Sequence, residues 1–513
     1  MKRNILKDTL LLTVIQMGLD GLALLLNVFV TRQLGTESVG ILTLTASFFR
    51  LMCITASGNA FLCVSRFVSE ELGKPLRDPE RVLLHCISVS MVLSLLVGGA
   101  IVLCAPWCSR EFLHTPSLAA PIRFMACTLP LLSLTACMRG YYNALGRVGL
   151  CAASDVLDFL VHAGLTVLIV LLHGPAGSAA LCRMTAVCTV CGSAAALVLL
   201  LLCFPKCRAG RTGSVSLSLG RYIALAVPVM AGSALQSALS SINDALVPVT
   251  LQQSGDSASA ALSEFGIFEA IVIPTLFFPS TVLCSLSSIL VTETAREQAA
   301  GGSVRITHMA QEAVRKTLLF AVFVTAVLLR FGGTIGVLLG GSDTAGRMIV
   351  LLAPVVPFIY LEIVLESLIK GLGAQGFSSV NYLCEYIIRI SCVLVLIPVM
   401  GFRGVVLSYY ASNVCGNVSR LLLILKRTRM RPALPVTVGI PVLAAFLSCE
   451  ASALLFRVLR TDPATDPVTM GIFTCAACPL YLWICRTLTR RAHGRRAVPE
   501  NFRGFRLDIS SRL

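Results

Sequence analysis

The chain has 513 residues, of which 56% are hydrophobic and 13% are charged, and its mean hydropathy is +0.84. These values exclude an ordinary soluble domain, in which about a quarter of the residues are charged. The formal net charge of +16 is typical of a membrane protein whose basic loops face anionic lipid headgroups. It therefore does not require a nucleic acid partner.

Fourteen apolar stretches, each about 20 residues long, follow one another along the chain. A membrane helix needs about that length, whereas a barrel strand needs about ten residues with strict alternation. We therefore predict an all-α membrane protein with fourteen transmembrane helices; the first stretch is too long for a signal peptide. The stretches are centred near residues 20, 50, 93, 130, 161, 191, 236, 277, 328, 358, 390, 414, 445 and 477.

The basic residues are distributed unequally between the two sides of the membrane. If both termini lie on one side, that side carries 30 of the 42 Lys and Arg residues, and the opposite side carries 6. Short cytoplasmic loops are enriched in Lys and Arg. We therefore predict a multi-pass protein with both termini in the cytoplasm.

The 21 cysteines lie mostly within the apolar stretches. Two pairs, Cys188/Cys191 and Cys475/Cys478, have CxxC spacing but no flanking His or basic residue. Small, buried and inert side chains explain this pattern better than a disulfide framework or redox chemistry. We predict no metal site and no cofactor.

Residues 130–177 and 357–404 are two copies of one pattern, aligned without a gap at an offset of 227. The copies share Pro, Leu-Gly and Gly landmarks, and each carries an acid and a base four residues apart. Charged side chains within apolar helices are costly, so their repetition indicates more than chance. The two pairs are Asp158 and His162 in the first copy, and Glu385 and Arg389 in the second.

An even number of spans separates the copies, so the two halves have the same topology. Such repeats are related by a pseudo-twofold axis along the membrane normal and are common in secondary transporters. We predict an N-lobe of six helices (1–205), a cytoplasmic linker (206–220) and a C-lobe of six helices (221–430). Two appended helices (431–487) and a basic cytoplasmic tail (488–513) follow.

Five short motifs occur in order along the first 430 residues: TRQLGTESVG (31–40), VSRFVSE (64–70), RGYYNALG (139–146), INDALVPVTLQQSG (242–255) and LIPVMGFRG (396–404). They resemble the oligosaccharide flippase branch of the multidrug/oligosaccharidyl-lipid/polysaccharide superfamily. The likeness is greatest to the stage V sporulation protein B type of lipid-linked glycan transporters, which are related to the lipid II flippase.

This resemblance implies a MATE-like fold with two six-helix lobes and a V-shaped central cavity. It also implies alternating access that carries an undecaprenyl-pyrophosphate-linked oligosaccharide or peptidoglycan precursor to the outer leaflet of a bacterial cytoplasmic membrane. The chain departs from the family pattern after the fourth span, where Ser154-Asp155, Asp158 and His162 replace the usual Ser-Gln, Glu-Gln and Arg. These differences concern the glycan, which the sequence does not name.

A lipid flippase must shelter an anionic headgroup, so its cavity needs cations for the phosphates and hydroxyl or amide groups for the sugars. Arg50 lies in the middle of the second span and is the predicted phosphate ligand; the alternative is a packing arginine. Asp20 and Asp244 are the acids of the first and seventh spans. They are predicted to hold a coupling cation or proton or to pair with Arg50; the alternative is an interhelical hydrogen bond.

Two further acids, Glu264 and Glu269, lie toward the outer end of the eighth span, with Glu269 deeper. Both are candidates for the cavity lining. The repeated acid–base pairs lie at i,i+4 on one helix face, which suits either a structural salt bridge or a gate or cavity wall.

Three other functions compete with a flippase. A cation-coupled multidrug exporter on the same fold predicts acids in the cavity with few cations. A membrane glycosyl- or acyltransferase would need a long outer loop or a cluster of His, Asp and Glu, and the sequence has neither, so we do not predict an enzyme. A scaffold protein without transport would leave the charged repeat unexplained.

Overall fold

The computed structural model describes residues 5–72, 78–112, 116–173, 178–206, 219–428, 435–458 and 467–494. Within these ranges the secondary structure is helical and contains no β-strand. The predicted linker lies mostly outside the described residues, as does the end of the predicted tail. The last helix continues to Gly494, seven residues beyond the predicted end of the last span at 487.

The first half of the chain forms seven α-helices. They are α1 (Ile5–Leu34), α2 (Thr36–Ser57), α3 (Ala60–Leu72), α4 (Pro79–Trp107), α5 (Ala119–Ala144), α6 (Val148–His173) and α7 (Ser178–Cys203).

The second half of the chain forms nine α-helices, and two further α-helices follow them. They are α8 (Leu219–Gln253), α9 (Ala258–Ile267), α10 (Ile273–Phe277), α11 (Thr281–Ala299), α12 (Ser303–Gly340), α13 (Asp343–Leu352), α14 (Val356–Gly371), α15 (Gln375–Met400), α16 (Phe402–Thr428), α17 (Ile440–Val458) and α18 (Pro467–Gly494).

Twelve segments of the described chain are long and apolar enough to cross a membrane. Three of them consist of consecutive helices, namely α2–α3, α9–α11 and α13–α14. The helices α8 and α16, of 35 and 27 residues, are also long enough to span a bilayer. With these two, the described helices fill the fourteen predicted positions. The predicted all-α polytopic fold is confirmed, and the chain is a multi-span integral membrane protein.

The composite spans break where the sequence disfavours a regular helix. Between α2 and α3, Gly58 and Asn59 take the left-handed conformation, with φ of +59° and +54°. Between α9 and α11, a π-helical turn over Phe268–Val272 is followed by two prolines. A π-turn rotates the residues beyond it, and proline removes a backbone donor. These breaks set which side chains of α9 to α11 face inward.

The internal repeat is visible in the backbone. The helices α6 and α15 both begin and both end 227 residues apart. The turns that precede them contain Gly146 and Gly373, which have the same φ of +72°. A left-handed residue is tolerated best by glycine, which explains why this landmark is kept in both copies.

The packing of helices repeats as well. In the first half, α5 packs on α3, α4 and α7, and α6 packs on α1 and α7. In the second half, α14 packs on α11, α12 and α16, and α15 packs on α8 and α16. We refer to α1–α7 as the N-lobe and to α8–α16 as the C-lobe. The helices α17 and α18 pack on each other and on α12.

Candidate functional site

A cavity of about 670 Å³ lies in the C-lobe, on the side that faces the N-lobe. The N-lobe contributes Arg50 from α2, and most of the remaining lining comes from α8, α11, α14, α15 and α16 of the C-lobe. The charged and amide side chains that line it are Arg50, Asn243, Asp244, Glu269, Glu362, Glu366, Lys370, Glu385, Arg389 and Asn413. A polar lining this rich, inside a membrane protein, marks a candidate substrate pathway.

Arg50 and Asp244 face each other across the lobe interface. The Arg50 Nη2 lies 3.9 Å from the Asp244 Oδ2, at the outer limit of an ion pair. The same carboxylate oxygen accepts a hydrogen bond of 2.5 Å from the Ser47 hydroxyl. Asp244 is buried, whereas Arg50 is exposed. The guanidinium is therefore held loosely and presents much of its surface to the cavity.

The C-lobe wall contains a cluster of carboxylates around Arg420, which is buried in α16. The Arg420 Nη2 lies 2.8 Å from the Glu362 Oε1 and 3.0 Å from the Glu385 Oε2. Its Nε lies 3.5 Å from the Glu366 Oε2. Buried carboxylates are stable only with a counter-charge. Arg420, which does not line the cavity, supplies this counter-charge. The three acids therefore need no external cation to balance their charge.

Arg389 is fixed in the same wall. Its guanidinium carbon lies 4.4 Å from the ring centre of Tyr409 and 5.1 Å from that of Tyr386. Its Nε donates to the Ser412 hydroxyl at 3.0 Å, and its Nη2 lies 3.5 Å from the Glu385 Oε1. Cation–π contacts and the ion pair together hold this side chain in the wall. The second repeated acid–base pair is therefore in contact within one helix.

The other predicted acids are placed differently. Glu269, in the π-turn, lines the cavity. Glu264 lies on α9, five residues earlier, and is not part of this lining. Asp20 accepts hydrogen bonds from the Thr281 hydroxyl at 2.7 Å and the Gln16 amide at 2.9 Å. It therefore joins α1 to α11 at the lobe interface instead of lining the central cavity.

The first repeated pair lies inside the N-lobe, away from the central cavity. Asp158 accepts a 2.8 Å bond from Arg139 on α5, and it does not pair with His162. His162 instead lies 3.4 Å from the Thr189 hydroxyl through its Nδ1. Arg139 also contacts Asp155 at 3.2 Å. Arg139 and Asp155 help to line a separate cavity of about 400 Å³.

The two clusters occupy equivalent places in the repeat but carry different charges. In the N-lobe, Asp158 contacts Ser193 on the following helix, and in the C-lobe, Glu385 contacts Arg420 on the following helix. The two residues of each pair are 35 positions apart. The guanidinium comes from α5 in the N-lobe and from α16 in the C-lobe. Equivalent positions, 227 residues apart, are Thr135 and Glu362, Arg139 and Glu366, Asp158 and Glu385, and Ser193 and Arg420.

Four charged residues of the C-lobe were not predicted as site residues. Glu362, Glu366 and Lys370 all lie in one short stretch, LEIVLESLIK, of α14. Three charged residues in one apolar helix, with Glu366 aligned on Arg139 in the repeat, indicated that these side chains belong to a functional site. Arg420 lies beyond the aligned block, so the repeat offered no direct signal for it.

Removing Arg420 should destabilise the C-lobe strongly. An Arg420→Ala variant leaves three carboxylates without their shared counter-ion, and breaking a buried pair in this way costs about 3–5 kcal/mol. We expect a large fall in the unfolding temperature of the protein in detergent. Arg66→Ala is the control: Arg66 forms an exposed i,i+4 pair with Glu70, and such pairs contribute about 0–1 kcal/mol. Equal losses in the two variants would contradict the assignment.

The fold of this chain is similar to the folds of solved transporter structures. A solved structure of the lipid II flippase MurJ, in an inward closed conformation, has a TM-score of 0.71 at 12% identity and covers 94% of this chain and 100% of that chain. An inward-facing multidrug resistance MATE family transporter has a TM-score of 0.62 at 14% identity, covering 80% of this chain and 94% of that chain. At such identities the likeness shows the fold alone.

The sequence gives the family. Residues 5–291 match the family of polysaccharide biosynthesis proteins, and the chain belongs to this family. Stage V sporulation protein B of Bacillus subtilis (strain 168) is 21% identical over 496 residues, covering 94% of this chain and 95% of that protein. The resemblance predicted from the five motifs is therefore confirmed.

Proposed function

We propose that the chain is a flippase. In this role it moves an undecaprenyl-pyrophosphate-linked oligosaccharide or peptidoglycan precursor from the inner to the outer leaflet of a bacterial cytoplasmic membrane. Transport would occur by alternating access of the central cavity, and the chain itself would make and break no covalent bond. The family and the MurJ-like fold support this proposal. The observation that carries it is the exposure of cations in the cavity.

Two of the three cations of the lining are accessible, whereas Arg389 and the acids are more recessed. The exposed fraction of the side chain is 62% for Arg50 and 50% for Lys370. It is 9% for Asp244, 20% for Glu366, 27% for Glu362 and 3% for Glu385, and 11% for the third cation, Arg389. A headgroup entering the cavity therefore meets a guanidinium and an ammonium before it meets a carboxylate. This arrangement favours an anionic cargo such as a pyrophosphate.

The rest of the lining suits a glycan. Asn243, Asn413 and Ser240 bring amide and hydroxyl groups to the cavity, and Tyr382 and Tyr386 bring rings with phenolic hydroxyls. These groups both donate and accept hydrogen bonds, as sugar hydroxyls require. The cavity thus has separate means of binding the phosphates and the sugars.

One observation favours the alternative of a cation-coupled multidrug exporter. Among the described residues, five carboxylates and three basic side chains line the cavity, and Glu269 is the acid for which no counter-ion contact is described. Cationic drugs are bound by acids of this kind. The two functions differ in whether the lipid-linked anion or an organic cation is transported.

Reconstitution in liposomes tests the choice. We expect vesicles containing the purified protein to move an undecaprenyl-pyrophosphate-linked oligosaccharide between leaflets, measured by its accessibility to an added glycan-modifying enzyme. Protein-free vesicles give the background rate. Transport of ethidium driven by a proton or sodium gradient, without movement of the lipid-linked glycan, would instead support the exporter.

The proposed orientation can be tested separately. Both termini are expected in the cytoplasm, because 30 of the Lys and Arg residues then face that side and short basic loops are retained there. Reporter fusions after residues 75, 212 and 430 should read inside, and fusions after residues 114, 256 and 462 should read outside. A single interchange among these six fusions would contradict the topology.

A further inference from the structure

Lys370 is the second exposed cation of the cavity and lies in the opposite lobe from Arg50. It occupies the last turn of α14, whose end is predicted to face the cytoplasm. Its Nζ lies 3.3 Å from the Glu366 Oε1 at i,i+4. A cation at a helix C-terminus is favoured by the helix dipole, so this side chain costs little to keep there. It stands at the end of the cavity where a headgroup from the inner leaflet would enter.

Glu366 does not depend on Lys370 for its stability. The Ser378 hydroxyl donates to the Glu366 Oε1, and the Arg420 Nε lies 3.5 Å from its Oε2. The carboxylate therefore keeps a donor and a counter-charge when the ammonium moves away. Lys carries a compact charge on a flexible four-carbon chain, which lets it exchange one anion for another.

We propose that Lys370 captures the pyrophosphate headgroup at the mouth of the cavity, before the headgroup reaches Arg50. This inference rests on the proposed function and adds a recruiting residue to it. Arg50 lies in the middle of the second span, farther from the end predicted to face the cytoplasm, and its Nη2 is 3.9 Å from the Asp244 Oδ2. A residue that contributes equally to capture and to the transport step changes the half-saturating concentration and leaves the maximal rate unchanged. Lys370 is expected to behave in this way.

The test compares Lys370→Ala with a matched control, Lys316→Ala. Lys316 also forms an i,i+4 pair, at 2.8 Å from Glu312, and its side chain is 64% exposed, but it does not line the cavity. Initial rates of flipping are measured in liposomes over a range of undecaprenyl-pyrophosphate-linked oligosaccharide concentrations. Lys370→Ala should raise the half-saturating concentration by about tenfold and change the maximal rate by less than about twofold. Lys370→Arg should restore most of the affinity, and Lys316→Ala should behave as wild type.

The outcomes separate this inference from the proposed function. If Arg50→Ala is inactive and Lys370→Ala has wild-type half-saturation, the recruiting role is wrong and the flippase stands. A Lys370→Ala variant with a reduced maximal rate and unchanged half-saturation would also overturn it. If the wild-type protein moves no lipid-linked glycan, the proposed function itself fails. Should Lys370→Ala not accumulate, Lys370→Met keeps the length of the side chain and gives the same comparison.

A second arm distinguishes a lipid headgroup from a free anion. Inorganic pyrophosphate is added to the same flipping assay as a competitor. Capture from the membrane predicts that the free anion competes only at concentrations well above those of the lipid-linked substrate. Competition at equal concentration would mean that Lys370 binds free pyrophosphate, which would overturn its assignment as a headgroup-capturing residue.

Discussion

An Arg50→Ala variant is expected to lose transport while it remains at normal abundance in the membrane. A pyrophosphate carries about two negative charges, and moving two charges outward across 100 mV, with the cell interior negative, gains roughly 4–5 kcal/mol. Outward flipping is therefore electrically downhill, provided that the phosphates have a counter-charge while they are inside the cavity. Arg50 is the most exposed cation of the described lining, and its loss removes that counter-charge.

The fold should tolerate this change. Asp244 keeps its hydrogen bond from Ser47, and the Asn243 amide also contacts it at 3.4 Å. Arg50→Lys should retain part of the activity, because an ammonium supplies the charge but not the forked geometry that matches a phosphate. Arg183→Ala is a suitable control, since Arg183 is an exposed arginine on α7 that does not line the cavity.

The measurement is complementation of a strain that lacks its own flippase, with membrane abundance checked by immunoblot. Arg50→Ala should fail, Arg50→Lys should complement in part, and Arg183→Ala should complement fully. Complementation by Arg50→Ala at the wild-type level would show that Arg50 only packs. The cation that meets the phosphates would then be another residue.

The fold was predictable because its signals are local in the sequence. Length and hydropathy set the spans, and the Leu-Gly landmark of each repeat marks a turn that needs a left-handed residue. Gly146 and Gly373 take that conformation, and the helices after them have equal lengths. These features depend on backbone conformation and on burial in lipid, which a sequence expresses directly.

The ion pairs were only half predictable. The i,i+4 spacing correctly placed Arg389 beside Glu385. The same spacing did not place His162 on Asp158, because Arg139 reaches that carboxylate at 2.8 Å from another helix. A guanidinium is always charged and offers two parallel donors, so it competes better than imidazole for a carboxylate. The helix that supplies the partner of a carboxylate depends on how neighbouring helices are rotated about their axes. The spacing of residues within one helix does not contain this information.

The two acids of the eighth span show a second limit. Glu264 and Glu269 are five residues apart, and a regular helix rotates about 100° per residue. Here α9 ends between them and the π-turn over Phe268–Val272 begins. The π-turn rotates the residues that follow it about the helix axis. Of the two acids, only Glu269 lines the cavity. The sequence placed Glu269 deeper in the span than Glu264 but kept both as candidates for the lining, because it did not reveal the π-turn.

The contact between α2 and α9 gives the second large expected effect, because it joins the lobes at the end predicted to face outside. The Thr36 and Ser263 hydroxyls lie 2.5 Å apart and connect the two helices. Beside them, a Cβ added at Gly40 would overlap the Leu262 carbonyl, so the two backbones are in direct contact.

Alternating access requires this contact to open when the cargo is released outside. A T36C/S263C variant places two thiols where two hydroxyls already touch, which suits a disulfide. After oxidation we expect flipping in liposomes to fall to the protein-free background, and reduction should restore it. Each single-cysteine variant should remain active under oxidation, which controls for the native cysteines.

A cross-link within one lobe provides the matched control. The Asn143 amide donates to the Ser65 hydroxyl at 2.9 Å, and both residues belong to the N-lobe. An oxidised S65C/N143C variant should therefore keep transporting, because the lobe moves as a unit, whereas the T36C/S263C cross-link ties the two lobes together. Formation of each bond is checked by mass spectrometry of peptides. Wild-type flipping by a fully cross-linked T36C/S263C protein would mean that the α2–α9 contact never opens, and alternating access through this cavity would be wrong.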